Sequence, residues 1–183
     1  MNVISIGTDI NLTWDNHLLK SYNDIQHKYD KATARRTQKQ INGIQTKYWY
    51  NDSNQLIYEE TENEYIRYQY DLNRNLIRLV AKANNKIYKF NLKRDILENI
   101  LGLIDENTKE EVIKYEYDSY EIVKISGSLK DIAFKLNKII YKGYYYDEET
   151  NLFYCNSRYY SPELCGFISP DSIEYLDLES ING

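Results

Sequence analysis

The feature that most constrains this chain is a recurring quartet: an aromatic residue, any residue, a second aromatic, then Asp or Asn. It occurs as YWYN (Tyr48 to Asn51), YQYD (Tyr68 to Asp71), YKFN (Tyr88 to Asn91), YEYD (Tyr115 to Asp118) and YYYD (Tyr144 to Asp147). HKYD, ending at Asp30, is a weaker first copy. The acidic or amide positions are 30, 51, 71, 91, 118 and 147, so early copies lie 20 or 21 residues apart and later ones farther. Self-similarity at such a period marks a stack of small repeated units.

Each copy encodes a β-hairpin. Aromatics at i and i+2 share one side of a strand, Asp or Asn opens a turn, and a second apolar run such as Leu76 to Val80 returns as the partner strand. Two strands of five to seven residues with their turns consume about 20 residues, which matches the period. Twenty tyrosines against four phenylalanines and two tryptophans fit half-exposed sheet faces. Tyr brings apolar area together with a hydroxyl that must stay wet or find a partner. The dense tyrosines between Tyr141 and Tyr160 are therefore read as a cross-strand ladder.

Two segments carry helical spacing. Ser128-Leu129-Lys130-Asp131 resembles a capping box and is followed by Ile132, Ala133, Leu136 and Ile140, which predicts one short helix near 128–137 over a sheet edge or face. From Leu92 to Leu103, Ile96, Leu97, Ile100 and Leu103 share a stripe, but the repeat register favours a strand there.

The 183 residues, 42% hydrophobic with a net charge of -5, suit one domain or a piece of something larger and give no overall attraction for phosphate backbones. No nucleic-acid partner is expected. The basic run Lys31 to Lys39 (KATARRTQK) is read as a solvated turn or strand face. MNVISIGTDINLTW at the start has neither a charged leader nor a long apolar core, so neither a secretory signal nor membrane insertion is expected. Cys155 and Cys165 flank the Ser161-Pro162 turn and are taken as ordinary thiols, a cross-hairpin disulfide being the other option. With His17 and His27 they do not form a zinc set. There is no Gly-rich phosphate loop, nucleophile elbow or paired histidine, so no catalytic, cofactor-binding or metal residues are assigned and no enzyme or cofactor is expected. Asp147-Glu148-Glu149 is read as an acidic turn rather than a calcium site, and Asp171, Glu174 and Asp177 as a solvated acidic tail.

The quartets resemble the YD repeats of the RHS family. Tyr141 to Gly183 resembles the RHS repeat-associated core domain: a tyrosine-rich strand, the Asp147 to Thr150 turn, the Ser157 to Tyr160 strand, the Pro162 turn and the Phe167 to Asp171 run. The likeness covers nearly all of the chain, strongly from about Leu56 and weakly before Trp14. It implies an all-β array of YD-repeat hairpins forming a curved open sheet, part of an RHS shell, with one short helix. The expected organisation is hairpins over 1–127, a short helix or linker over 128–140 and a truncated core segment over 141–183. The implied role is non-enzymatic: shell material that in related proteins encloses or presents a C-terminal polymorphic toxin, the remainder of the shell or toxin polypeptide being the partner. A module binding carbohydrate or cell-surface glycan is the alternative. Related proteins act secreted or at the cell surface as parts of longer chains, whereas this chain expressed alone is expected to be cytoplasmic. Asp171 matches the first of a pair of aspartates that cleaves some relatives, and the second is not reached before Gly183, so no cleavage is expected. Departures from the family pattern imply a degenerate member. The usual turn glycine is Asn54, Arg74 or Asn151, Cys165-Gly166 replaces Gly-Arg, and Asn137-Lys138 replaces Asn-Pro.

Overall fold

The computed structural model describes residues 2–5, 10–118 and 122–168. Asp171, Glu174 and Asp177 lie outside them. Among the described residues, thirteen strands form one antiparallel meander in which each strand pairs with its sequence neighbours. They are β1 (Asn2–Ser5), β2 (Asn11–Asp15), β3 (Leu18–Tyr22), β4 (Ile25–Tyr29), β5 (Arg36–Ile41), β6 (Ile44–Tyr50), β7 (Leu56–Glu60), β8 (Tyr65–Tyr70), β9 (Leu76–Ala83), β10 (Lys86–Arg94), β11 (Ile100–Asp105), β12 (Glu111–Tyr117) and β13 (Ile122–Ser126). The sheet does not close: β1 and β13 remain its two edges. A second antiparallel meander follows, made of β14 (Tyr145–Asp147), β15 (Leu152–Cys155), β16 (Arg158–Ser161) and β17 (Gly166–Phe167).

The quartet has a three-part structural meaning. Its first ring enters the core, as Tyr48, Tyr68 and Tyr115 do. At its second ring the register slips, between Lys28 and Tyr29, Trp49 and Tyr50, Gln69 and Tyr70, and Glu116 and Tyr117. The hydroxyl of that second tyrosine then donates to a carbonyl on the preceding strand: Tyr29 to Leu19 at 2.8 Å, Tyr50 to Arg36 and Tyr70 to Leu56 at 2.9 Å, and Tyr117 to Ile100 at 2.5 Å. The hydroxyl thus finds its partner inside the repeat, clipping the bulge to the neighbouring strand. Last, the Asp or Asn holds the turn through its side chain. Asp71 Oδ1 accepts from Asn75 N and Oδ2 from Asn75 Nδ2, and Asn51 Oδ1 accepts from the backbone of Ser53 and Gln55.

The residue closing these turns is left-handed. Asn54, Arg74 and Asn151 have φ of 60°, 68° and 55°, the conformation that glycine would supply without strain. Arg74 bears the larger cost, about 1 kcal/mol, because a side chain without an Asn-like local hydrogen bond gains nothing in that region.

One copy is placed differently from the sequence expectation. Asn91 does not open a turn; it lies within β10, opposite Arg78 and Ile104. The strand runs on to Arg94, and the turn opens at Asp95, which accepts from Asn99 N and Nδ2 just as Asp71 does from Asn75. Turn chemistry overrode the aromatic spacing. The preference for a strand over 92–103 holds, since β10 and β11 occupy most of it.

The short helix is a 3-10 turn, Lys130–Ile132, running into one α turn, α1 (Ala133–Leu136). No side chain caps either start, so the capping-box reading of Ser128 fails; the entry is held instead by Leu129 N donating to Val112 O at 3.0 Å. Ala133 and Leu136 are buried against β9. Asn137, fully buried, ends the helix by bracketing Ile139: its Nδ2 donates to Ile139 O and its Oδ1 accepts from Ile139 N.

One core joins both sheets. Leu79, Phe90, Leu103 and Ile113 of the long sheet cluster with Leu136, Ile140, Leu152, Phe153 and Tyr159 of the following segment. β15 is buried at all four residues, so the small sheet is covered on both faces. Ile100 N donates to Ile140 O, and Lys142 N to Asn99 Oδ1, stitching the segment to the long sheet. Among the described residues no helix is long and apolar enough to cross a membrane.

Candidate functional site

The basic run is a solvated turn only at its start, where Lys31 to Thr33 are exposed. Arg36 and Lys39 are 1% and 3% exposed. On a regular strand residues three apart face opposite ways. Here β4 and β5 slip opposite Thr37, where Lys28 pairs with Gln38 and Tyr29 with Arg36, so both cations turn inward.

They meet Asp147, at the start of the turn after β14. Arg36 Nη1 donates to Asp147 Oδ2 at 2.5 Å and Lys39 Nζ to Oδ1 at 2.6 Å, while Lys39 also pairs with Glu149. The two cations and two carboxylates balance in charge, which is what allows the group to leave water. The Asp147 carboxylate does not serve its own turn. There Thr150 uses the Asp147 carbonyl, and the acid reaches across to the other sheet. The acidic-turn reading of Asp147 is corrected accordingly: it opens a turn, but its side chain is a buried ion-pair partner.

Tyrosines complete the enclosure. The Arg36 guanidinium lies 4.7, 4.9 and 4.5 Å from the ring centres of Tyr48, Tyr145 and Tyr154. Arg36 N donates to Tyr154 Oη, Tyr50 Oη donates to Arg36 O, and Arg36 Nη1 donates to Tyr159 Oη at 3.1 Å. Glu59, also buried, accepts from Tyr145 at 2.6 Å and Tyr68 at 3.2 Å. The ladder expectation therefore holds in part. Tyr154 and Tyr159 do pair across strands, with ring centres 5.3 Å apart, but their hydroxyls bridge between sheets. They fix how the small sheet sits against the large one.

Burial opposes charge on Arg36, Lys39 and Asp147 alike, and the pairing among them wins. Burial pushes the Asp147 carboxyl up, yet Arg36 and Lys39 hold it well below the usual carboxylate range. Arg36 and Lys39 are likewise held above their ordinary values by Asp147 against their own desolvation. Tyr145 and Tyr159 are pushed far up, chiefly by burial.

His27, in the first weak copy, lies beside this cluster with its ring 5.7 Å from Tyr159 and neither nitrogen paired. Burial first, then the charge on Arg36, lowers it to about 3. An unfolded His titrates near 6.5, so between those values the unfolded chain binds the extra proton. Stability conferred by keeping His27 neutral is complete above about pH 6.5 and is lost as pH falls, by up to roughly 1.4 kcal/mol per pH unit. Asp147 adds in the same direction below its unfolded value near 3.9. In urea unfolding at a series of pH values, His27→Phe is expected to flatten the slope between pH 4 and 6.5 by about one proton. An unchanged slope would place the His27 ring in contact with water.

Cys155 and Cys165 are both free. Cys155 is buried, with its thiol pushed up to about 12 by desolvation, and Cys165 is exposed. Asp147 and Glu149 are occupied by cations, and among the described residues no cluster of His, Cys, Asp and Glu is arranged to hold a metal. Neither buried cation nor Glu59 was singled out from the sequence. The weak signal was local: Arg36 and Lys39 at i and i+3, six and nine residues after the turn aspartate Asp30.

Comparison with known proteins agrees with this architecture. Curated relatives include the tRNA nuclease WapA of Bacillus subtilis strain 168, 33% identical over 162 residues, and the tRNA3(Ser)-specific nuclease WapA of Bacillus spizizenii, 31% identical over the same length. Each alignment takes in 85% of this chain and 6% of the relative, so the chain spans a small fraction of the proteins it matches. Among solved structures, the TcdB2-TccC3-TEV crystal structure superposes with a TM-score of 0.66 over 88% of this chain and 9% of that one, at 16% identity. The TcdB2-TccC3 crystal structure gives 0.56 over the same shares, also at 16%. The Photorhabdus luminescens Tc holotoxin pore gives 0.50 over 87% of this chain and 9% of that one, at 12%. These structures share the fold. The family model for the teneurin YD-shell matches residues 16–181, and the chain belongs to that family.

Proposed function

We propose that this chain is a wall-and-plug segment of a YD shell that, within a longer exported polypeptide, encloses a toxin. The long sheet supplies wall, and the segment from α1 to β17 packs on its inner face as the plug that sets its curvature. The carrying observation is the continuous thirteen-strand meander whose ends, β1 and β13, stay open while its middle is locked to the plug by Arg36, Lys39 and Asp147. Open edges are templates for further strands of the same kind. The names of the relatives, nucleases and a holotoxin, support a toxic polypeptide as the content. In this reading the chain itself is structural, without a catalytic set of its own.

Light scattering behind size-exclusion chromatography, with circular dichroism on the same fractions, tests it. Folded β-rich protein that associates as its concentration rises is the expected result, because edges built to receive neighbouring repeats pair with one another instead. A stable monomer at all concentrations would overturn the reading.

A second reading, a glycan-binding face, is favoured by one observation. Trp49, Tyr58 and Tyr65 form a half-exposed aromatic row on the long sheet, with ring centres 5.3 and 5.9 Å apart. Saturable quenching of Trp49 by oligosaccharides would support it, and silence across a glycan panel would remove it.

A further inference from the structure

Hairpin turns of a meander fall alternately at its two ends, so the turns at Asn51–Gln55, Asp71–Asn75 and Asp95–Asn99 gather on one rim. Gln55 Nε2 donates to Arg74 O at 2.8 Å and ties two of them together. Between this rim and the small sheet lies a cleft of about 300 Å3. Its lining includes Arg36 with the three rings that cage it, and also Arg35, Arg74 and Lys142.

The charges of this cleft are not balanced from within. Asp147 and Glu149 already answer Arg36 and Lys39, leaving Arg35, Arg74 and Lys142 in excess. Glu98 is the acidic residue of the described lining, and both its oxygens are taken by Arg94 Nη1, at 2.9 and 2.8 Å. The hydrogen-bond inventory points the same way. Arg36 Nε and Arg35 Nε are both buried without an acceptor, and Arg35 Nη1 makes a long contact of 3.4 Å with Asn156 O. A buried donor lacking an acceptor is costly, and two on adjacent residues lining one cleft call for an acceptor with more than one oxygen. The remaining walls are mixed: Leu56, Leu76, Ile100 and Ile139 are apolar, and Ser53, Asn54, Gln55 and Asn156 are polar.

We propose that this rim cleft binds an oxyanion, a carboxylate or phosphate group, with Arg35 and Arg36 donating through Nε and with Arg74 and Lys142 supplying charge at the mouth. Guanidinium groups suit such oxygens because their donors are planar and fixed. Leu56, Leu76, Ile100 and Ile139 offer an apolar surface on which an aromatic or aliphatic body carrying the oxyanion can rest. This site is separate from the shell reading and stands whether or not a polypeptide is enclosed.

The test is a titration of the 15N-labelled full chain, following the arginine Nε–H resonances. Sodium benzoate and inorganic phosphate are the two probes, with sodium chloride at matched ionic strength as control. Saturable movement of the Arg35 and Arg36 signals is expected. Tighter binding of benzoate would identify a carboxylate with an apolar body, and tighter binding of phosphate a phosphate group. Arg35→Gln and Lys142→Gln, both outside the buried cluster, are each expected to weaken binding roughly fivefold. Shifts that chloride reproduces, no saturation with either probe, or variants that titrate like the parent chain would overturn the proposal. The parent titration decides the matter alone if either variant folds poorly.

Discussion

Asp147→Ala is expected to lower the free energy of unfolding by about 3–5 kcal/mol, because it strips the shared partner from two cations that are almost wholly out of water. Against a typical domain stability of about 5–15 kcal/mol, that is enough to unfold a large share of the chain at modest urea. The size of the effect comes from what remains. Arg36 and Lys39 cannot reach solvent, Glu149 answers Lys39 alone, and the rings around Arg36 offset part of its charge without replacing a carboxylate. Exposed pairs set the scale for comparison. Arg78 and Glu106 are 30% and 31% exposed, and removing either is expected to cost about 0–1 kcal/mol. A combined replacement, Arg36→Met, Lys39→Met and Asp147→Leu, is expected to recover much of the loss, since apolar groups of similar volume carry no desolvation penalty. If Asp147→Ala costs no more than an exposed pair in urea unfolding, the cluster is hydrated and does not fasten the two sheets.

How much of this was legible depended on the distance in sequence between cause and effect. Asn51 and Asp71 opening turns follow from residues within one hairpin, and the quartet displays them openly, whereas Tyr48, Tyr68 and Tyr115 are buried outright instead of half-exposed because the second sheet covers them. The left-handed slots at Asn54, Arg74 and Asn151 were legible for the same reason. Asn91 misled because its aromatic pair, Tyr88 and Phe90, was intact while the turn chemistry sat four residues on, at Asp95 and Asn99. An Asp or Asn followed four positions later by Asn or Gln is the better marker, shared by 51, 71 and 95. The buried cluster was illegible for a different reason. Arg36 and Lys39 find Asp147 across 111 and 108 residues, and nothing within KATARRTQK separates a solvated run from one whose counter-charge arrives a hundred residues later. The slip at Thr37 that turns both cations inward is likewise a property of two paired strands and not of either alone.

Phe153→Ala is expected to cost about 3–5 kcal/mol, comparable with the loss of Asp147 but by a different route. Phe153 is 1% exposed, at the centre of the plug, with its ring 5.5 Å from Tyr141 and 5.1 Å from Tyr146. Removing it deletes buried area and leaves a void that the rigid tyrosines around it cannot close. Phe167 in the same sheet is the control: it is 43% exposed, with Arg158 stacked on it at 3.9 Å, and its replacement by Ala should cost about 1 kcal/mol or less. The manner of unfolding carries as much information as the size. Trp14, on β2 near the far edge of the long sheet, is buried and belongs to the same core cluster as Phe153. If the plug and wall are one cooperative unit, Trp14 fluorescence and far-ultraviolet circular dichroism in Phe153→Ala should move together to lower urea. Were the dichroism to change first while Trp14 stayed buried, the plug would be a separable element, and the wall would hold its curvature without it. The shared core and the hydrogen bonds from Ile100 to Ile140 and from Lys142 to Asn99 favour the single transition, because each places a wall residue in a contact that the plug alone completes.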